Sequence, residues 1–210
     1  RPGQATFCGG YNNFYFLVKG EDTDSVYVYH SSVSTFPSFT EVDTASYTNT
    51  ASFTSIYNLV ASDGSLFFVT LSEYSGNQQT VYRATETEVK SVALSVSTYR
   101  RIHTIIENDS NEIVISYENN NNGDEYVSVY SLSSGSISTY SLDSQFSAEL
   151  FYNGKYIRFV QSQNILQCQQ WSDIKMSDLE TFNIGRDYSG TLLPSPDGYP
   201  ALLYNADGVA

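Results

Sequence analysis

Residues 25–32, SVYVYHSS, alternate Val26 and Val28 with Tyr27 and Tyr29, the period of two that marks a β-strand. Four other stretches read differently. SLFFVTL (65–71), EIVISY (112–117), KYIRFV (155–160) and YPALLY (199–204) are nearly continuous apolar runs, as strands covered on both faces are. FYFLV (14–18) is an earlier copy of the same kind. Each run follows a turn signal: Tyr11-Asn12-Asn13, Asp63-Gly64, Asp109-Ser110-Asn111, Asn153-Gly154 and Asp197-Gly198. Such residues supply the positive φ angles of tight hairpins, so each signal predicts two antiparallel strands joined by a short turn.

The spacing of these turns is regular. From Gly64 to Ser110, Gly154 and Gly198 the steps are 46, 44 and 44 residues, and Asn13 lies 51 residues before Gly64. A third strand follows each apolar run, at SVYVYHSS, TVYRATE (80–86), VSVYSLSSG (127–135) and QCQQWSDI (167–174). A fourth, with polar and apolar residues alternating as in an exposed outer strand, follows at FTEV (39–42), EVKSVAL (88–94), SISTYSL (136–142) and LETFNI (179–184). The repeating unit is therefore a four-stranded antiparallel meander. Units span 5–42, 53–96, 101–142 and 146–184, and 191–204 supplies only half of a fifth. A helical turn over Ser172–Asp178, capped by Ser172, is the one helical departure this pattern tolerates.

A unit of about 45 residues with four strands is the size of a propeller blade. The chain resembles β-propellers in the broad sense of WD40-like and TolB-like repeats: SPDGYPALLY (195–204) is similar to the S-P-D-G-x-x-x-A hairpin of TolB-like blades, and VYSLSSGSISTYSL (129–142) to their third and fourth strands. The resemblance implies an all-β propeller of about four and a half blades. A sandwich of hairpins is the competing architecture, and the even step weighs against it, because sandwiches have Greek-key connections without a fixed period. A half blade leaves sheet edges open, so the expectation is a ring completed by further blades or by a second polypeptide.

Composition narrows the chemistry. Tyr and Phe number 18 and 12 against 10 Lys and Arg together, so large rings carry much of the packing. A net charge of −13 with no basic stripe argues against nucleic acid as a partner. No apolar run reaches the roughly 18 residues that cross a bilayer, so no membrane insertion is expected. Cys8 and Cys168 stand 160 residues apart with no metal-binding spacing; two buried thiols or one long-range disulfide both fit. RPGQATF (1–7) lacks the apolar core of a signal peptide, while the sequon Asn108-Asp109-Ser110 and a Ser/Thr/Asn/Tyr-rich surface suit a secreted or cell-surface protein; a cytoplasmic one is the alternative.

Candidate chemistry lies where loops and first strands converge. The links between second and third strands carry Asp22, Asp24, Asp124 and Asp207, oxygen donors suited to Ca²⁺ but outside any EF-hand pattern, so solvated tips with no cofactor are the plainer expectation. Glycosidase chemistry needs two carboxylates across a sugar bond, and Glu107, Asp109, Glu149 and Asp187 are the acids near inner-strand ends. A sialidase-like site would use Arg101, Arg158 and Arg186, which fall in consecutive units, although the Ser-x-Asp-x-Gly-x-x-Trp boxes that resemblance implies are missing. His103 alternates with Ile102 and Ile105 and can join Arg101, Arg158 and Arg186 in binding a ligand, whereas His30 is expected to be exposed. Two readings stand: a non-catalytic module presenting a face to a protein or glycan, and a five-bladed glycoside hydrolase or sialidase-like enzyme.

Overall fold

In the computed structural model, residues 2–20, 25–46, 50–72, 79–94, 100–108, 110–119, 123–142, 148–152, 155–162, 165–172, 175–183, 189–193 and 201–205 are described, with side chains described for stretches within 4–141. Every regular element among them is a strand. β1 (Pro2–Gly10), β2 (Asn13–Gly20), β3 (Ser25–Ser32) and β4 (Thr40–Ser46) form the first sheet. The second is built from β5 (Thr50–Val60), β6 (Leu66–Ser72), β7 (Gln79–Ala84) and β8 (Val89–Ser91). β9 (Arg100–Glu107), β10 (Glu112–Asn119), β11 (Asp124–Ser131) and β12 (Ile137–Leu142) make the third. β13 (Ala148–Tyr152), β14 (Lys155–Ser162), β15 (Ile165–Ser172) and β16 (Lys175–Asn183) make the fourth, and β17 (Ser189–Leu193) pairs with β18 (Ala201–Asn205) alone.

In each four-stranded sheet the strand order follows the sequence, and the pairings are antiparallel. These are the meanders that the turn spacing predicts. The chain forms two compact units, residues 1–122 with 127–139 and residues 123–126 with 140–210, so that β11 begins in one and ends in the other.

Two local expectations change. Ser172–Asp178 is strand on both sides of residues 173–174, with Trp171 opposite Met176, because the β15–β16 ladder extends to its end and leaves no room for a helical turn. The fourth strand of the second sheet shrinks to Val89–Ser91, since after it Val92 bonds back to Val81 and the chain leaves the ladder.

Turn chemistry matches the local sequence. Tyr11, Asn12 and Asn111 take positive φ, as does Gly64 at 83°. The Asn153-Gly154 and Asp197-Gly198 turns lie outside the described residues. Packing between the first two sheets places Tyr15, Leu17, Val26 and Val28 against Val60, Leu66, Phe68 and Ala84. On β6 the consecutive residues Leu66, Phe67, Phe68 and Val69 are all fully buried, and on β10 so are Ile113 and Ile115, with Val114 at 2%. Two-sided burial explains why these strands lack the alternation seen in β3.

Candidate functional site

The first two strands of the third sheet bring two of the predicted ligand-binding residues together. Arg101 pairs across the ladder with Glu118 and Ile102 with Tyr117, but Thr104 pairs with Ser116, so His103 is the extra residue of a bulge. A bulge re-aims the side chains on either side of it. Its effect is visible in burial, because Ile102 and Ile105, three apart, both face the core. His103 Nε2 lies 3.6 Å from Glu118 Oε2, and Arg101 NH1 lies 3.6 Å from Glu118 Oε1. Arg101 is 63% exposed while His103 and Glu118 are 12% and 19% exposed, so a reachable guanidinium stands over a mostly covered floor. Burial, reinforced by the Arg101 charge, holds the His103 imidazole down at about 4, so it is neutral at physiological pH.

Glu125 on β11, the neighbour of β10 in the sheet, is buried at 3% exposure. A neutral imidazole beside a carboxylate, as in His103 and Glu118, suits zinc or manganese more than Ca²⁺, which prefers oxygen alone. Glu118 and Glu125 were hidden in the sequence because ENNNNGDE reads as one polar loop; β10 in fact continues to Asn119 and β11 begins at Asp124. The only available signal was the alternation Ser116, Glu118 against Ile115, Tyr117.

The other candidates are placed as follows. Glu107, at the end of β9, accepts hydrogen bonds from both the backbone N–H (2.8 Å) and the hydroxyl of Ser62, so its carboxylate bolts the third sheet to the turn of the second. Glu149 and Arg158 stand directly opposite each other on β13 and β14. Asp124 is exposed, with its carboxylate 3.5 Å from the Tyr126 hydroxyl. Asp22, Asp24, Asp109, Arg186, Asp187 and Asp207 lie outside the described residues. His30, expected to be exposed, is half-buried: it shares a 2.8 Å hydrogen bond with Asn13, packs 5.0 Å from the Tyr15 ring, and has its pKa lowered by burial. Cys8 is a free thiol that burial pushes up to about 11, and so is no nucleophile.

A second polar constellation holds the second and third sheets together. Arg83 on β7 donates to Asp63 (2.6 Å), to the Ser65 hydroxyl (3.2 Å) and to the Tyr130 hydroxyl (3.1 Å). Burial alone would raise the Asp63 carboxyl, but hydrogen bonds from Ser65 and the Arg83 guanidinium outweigh it and hold Asp63 below the usual carboxylate range. Beside this clamp is an open cleft of about 350 Å³ whose walls include Thr85, Lys90, Val92, Tyr130 and Ile137.

No family model and no curated protein matches the chain. Among solved structures it is similar to the β-propeller domain of the Trilobed protease from Pyrococcus furiosus, described as having an open velcro topology, with a TM-score of 0.56 and 12% identity over 98% of this chain and 70% of that one. It is also similar to a puromycin-hydrolysing peptidase of Mycobacterium tuberculosis, with a TM-score of 0.51 and 12% identity over 90% of this chain and 32% of that one. A GH43 β-1,3-galactosidase superposes more loosely, with a TM-score of 0.45 and 9% identity over 94% of this chain and 84% of that one. At such identity the likeness shows the fold alone: the chain is an all-β propeller of four-stranded antiparallel blades.

Proposed function

We propose that this propeller is a non-catalytic recognition module that binds a glycan at the start of its third blade. The observation that carries this reading is the grouping of Arg101, His103 and Glu118 on two adjacent strands. A guanidinium donates, a carboxylate accepts, and a neutral imidazole does either, which together complement the vicinal hydroxyls of a sugar. A net charge of −13 supports an uncharged or cationic ligand over a polyanion such as nucleic acid. A secreted or cell-surface setting accords with glycan binding and belongs to the same proposal.

Of the acids that could serve hydrolysis, Glu107 is engaged with Ser62. The test is an oligosaccharide array probed with the wild-type chain and with Arg101→Ala, alongside an assay for released reducing sugar. Selective binding lost in the variant, with no sugar released, is the expected result. Sugar release by the wild type establishes the glycoside hydrolase reading instead, and an array blank for both chains removes glycan as the ligand class.

A further inference from the structure

Arg83 and Lys90 stand directly opposite each other on β7 and β8, so two cations share one face of the second sheet. Like charges so placed repel, and the chain has only 10 Lys and Arg with which to build such a pair. The row starts at Phe67 on β6, the cross-strand partner of Arg83 on its other side. Along it the cover thins: Phe67 is fully buried, the Arg83 side chain is 23% exposed and that of Lys90 is 72% exposed. Tyr130 of the third sheet closes the inner end, its ring edge-on to Phe67 and its centroid 5.7 Å from the guanidinium carbon of Arg83. Farther out the row borders the open cleft of about 350 Å³, a volume within the roughly 300 to 1,000 Å³ of small-ligand sites.

We propose that this cleft binds a small molecule carrying one carboxylate on an apolar body, with the carboxylate on Lys90 and the Tyr130 hydroxyl and the body against Val92 and Ile137. Arg83 donates to the Tyr130 oxygen at 3.1 Å, which leaves the phenolic proton to be donated to a ligand. Arg83 is itself balanced by Asp63 at 2.6 Å, so its part is to fix Tyr130 and not to take the anion. Lys90 is held more loosely. Its partner Glu88 is 2.6 Å away, but the two side chains are 72% and 46% exposed, and exposed pairs contribute little, so a ligand carboxylate can take the place of Glu88 at the ammonium. Charge also limits the ligand to a monoanion. The charged side chains among the described walls are Arg83, Lys90 and Glu88, and Asp63 behind Arg83 brings the local sum to zero. One added negative charge is met by the released Lys90, while a second meets only the field of a chain at −13. This site, on β7, β8, β11 and β12, shares no residue with the Arg101 group on β9 and β10.

Ligand-observed NMR titration of the full chain tests the proposal with benzoate, with benzyl alcohol and benzylamine as neutral and cationic probes of similar shape, and with inorganic phosphate as competitor. Benzoate is expected to bind saturably and benzyl alcohol about tenfold more weakly or worse. Lys90→Gln weakens benzoate binding about fivefold, whereas Glu88→Gln, which removes the competing carboxylate, tightens it about twofold. Both side chains are exposed, so neither change disturbs the core, and the opposite signs tie the effect to this cleft. No benzoate binding, equal binding of the alcohol, preference for benzylamine, displacement of benzoate by equimolar phosphate, or a Glu88→Gln chain that binds benzoate no better than wild type would each overturn it.

Discussion

Glu107 accepts a hydrogen bond from the backbone N–H of Ser62 at 2.8 Å, across 45 residues of sequence. The same turn receives a second long-range bond from the other side, the buried Tyr15 hydroxyl donating to the Gly64 carbonyl at 2.8 Å. One four-residue turn of the second blade is thus gripped by the first and the third. Within it, Ala61 and Gly64 close the backbone, and Asp63 takes the Ser65 amide at 2.9 Å. Backbone groups that a loop would otherwise leave to water are satisfied by neighbouring blades.

Removing the Glu107 carboxylate takes the acceptor from the Ser62 amide and leaves the hydroxyl only Asn111 Oδ1, 3.5 Å away. Glu107→Ala is expected to lower unfolding free energy by about 1 to 2 kcal/mol, with Glu107→Gln less costly because its amide oxygen still accepts from Ser62. Urea denaturation followed by circular dichroism measures both. A Glu107→Ala chain as stable as wild type would show that the bolt contributes nothing and would reopen the residue for chemistry.

Gly64 is fixed by two separate constraints. Its φ of 83° strains any other residue, and an added Cβ would lie 2.5 Å from Asn13 Nδ2. Asn13 cannot easily withdraw, since Nδ2 donates to the Tyr11 carbonyl at 3.0 Å and Oδ1 is bonded to His30. Gly135, at φ 70°, has only the Tyr130 hydroxyl at 3.5 Å in the same direction. Gly135→Ala should therefore cost about 1 kcal/mol from backbone strain, and Gly64→Ala at least about 2. Equal losses in thermal or urea unfolding would mean that Asn13 yields freely.

Local features of this fold were legible in the sequence, and long-range ones were not. Asp63-Gly64 predicts a hairpin because positive φ is a property of the residues themselves, and the 44 to 46 residue step predicts the blades because each hairpin recurs in the same place. That Glu107 would meet Ser62, or Arg83 would join Asp63 to Tyr130, depends on how one sheet lies on the next, which no local pattern encodes. The group of Arg101, His103 and Glu118 was half visible. Arg101 and His103 stood out as rare charged or titratable residues on an apolar strand, but Glu118 merged with the asparagines that follow it.

The neutral His103 makes stability depend on pH in a defined direction. Its folded pKa of about 4 is below the ordinary 6.5, so between these values the unfolded chain binds more protons and stability falls as pH falls. The contribution is complete above about pH 6.5 and amounts to no more than about 3 kcal/mol. His103→Gln should flatten the stability profile between pH 6.5 and 4 relative to wild type while leaving the slope from carboxylates elsewhere. Parallel profiles would show that the imidazole titrates normally and accepts a proton from solvent.

Phe67 and Phe68 are adjacent on β6, both fully buried, and they serve different neighbours. Phe67 meets Tyr130 of the third sheet edge-on at 5.6 Å, while Phe68 stacks with Tyr82 at 5.5 Å within the cluster that includes Tyr15 and Leu17 of the first. Replacing either ring by alanine would remove about 3 to 5 kcal/mol, a large part of the stability of a domain this size, so leucine is the more informative substitution. Phe67→Leu and Phe68→Leu should each cost about 1 kcal/mol, and because their ring contacts run to different neighbours the double variant should lose the sum to within about 0.5 kcal/mol. Urea unfolding of the two single variants and the double supplies the cycle. Coupling above about 1 kcal/mol would mean that the two interfaces are one core, and that a change at the first blade is felt directly at the third.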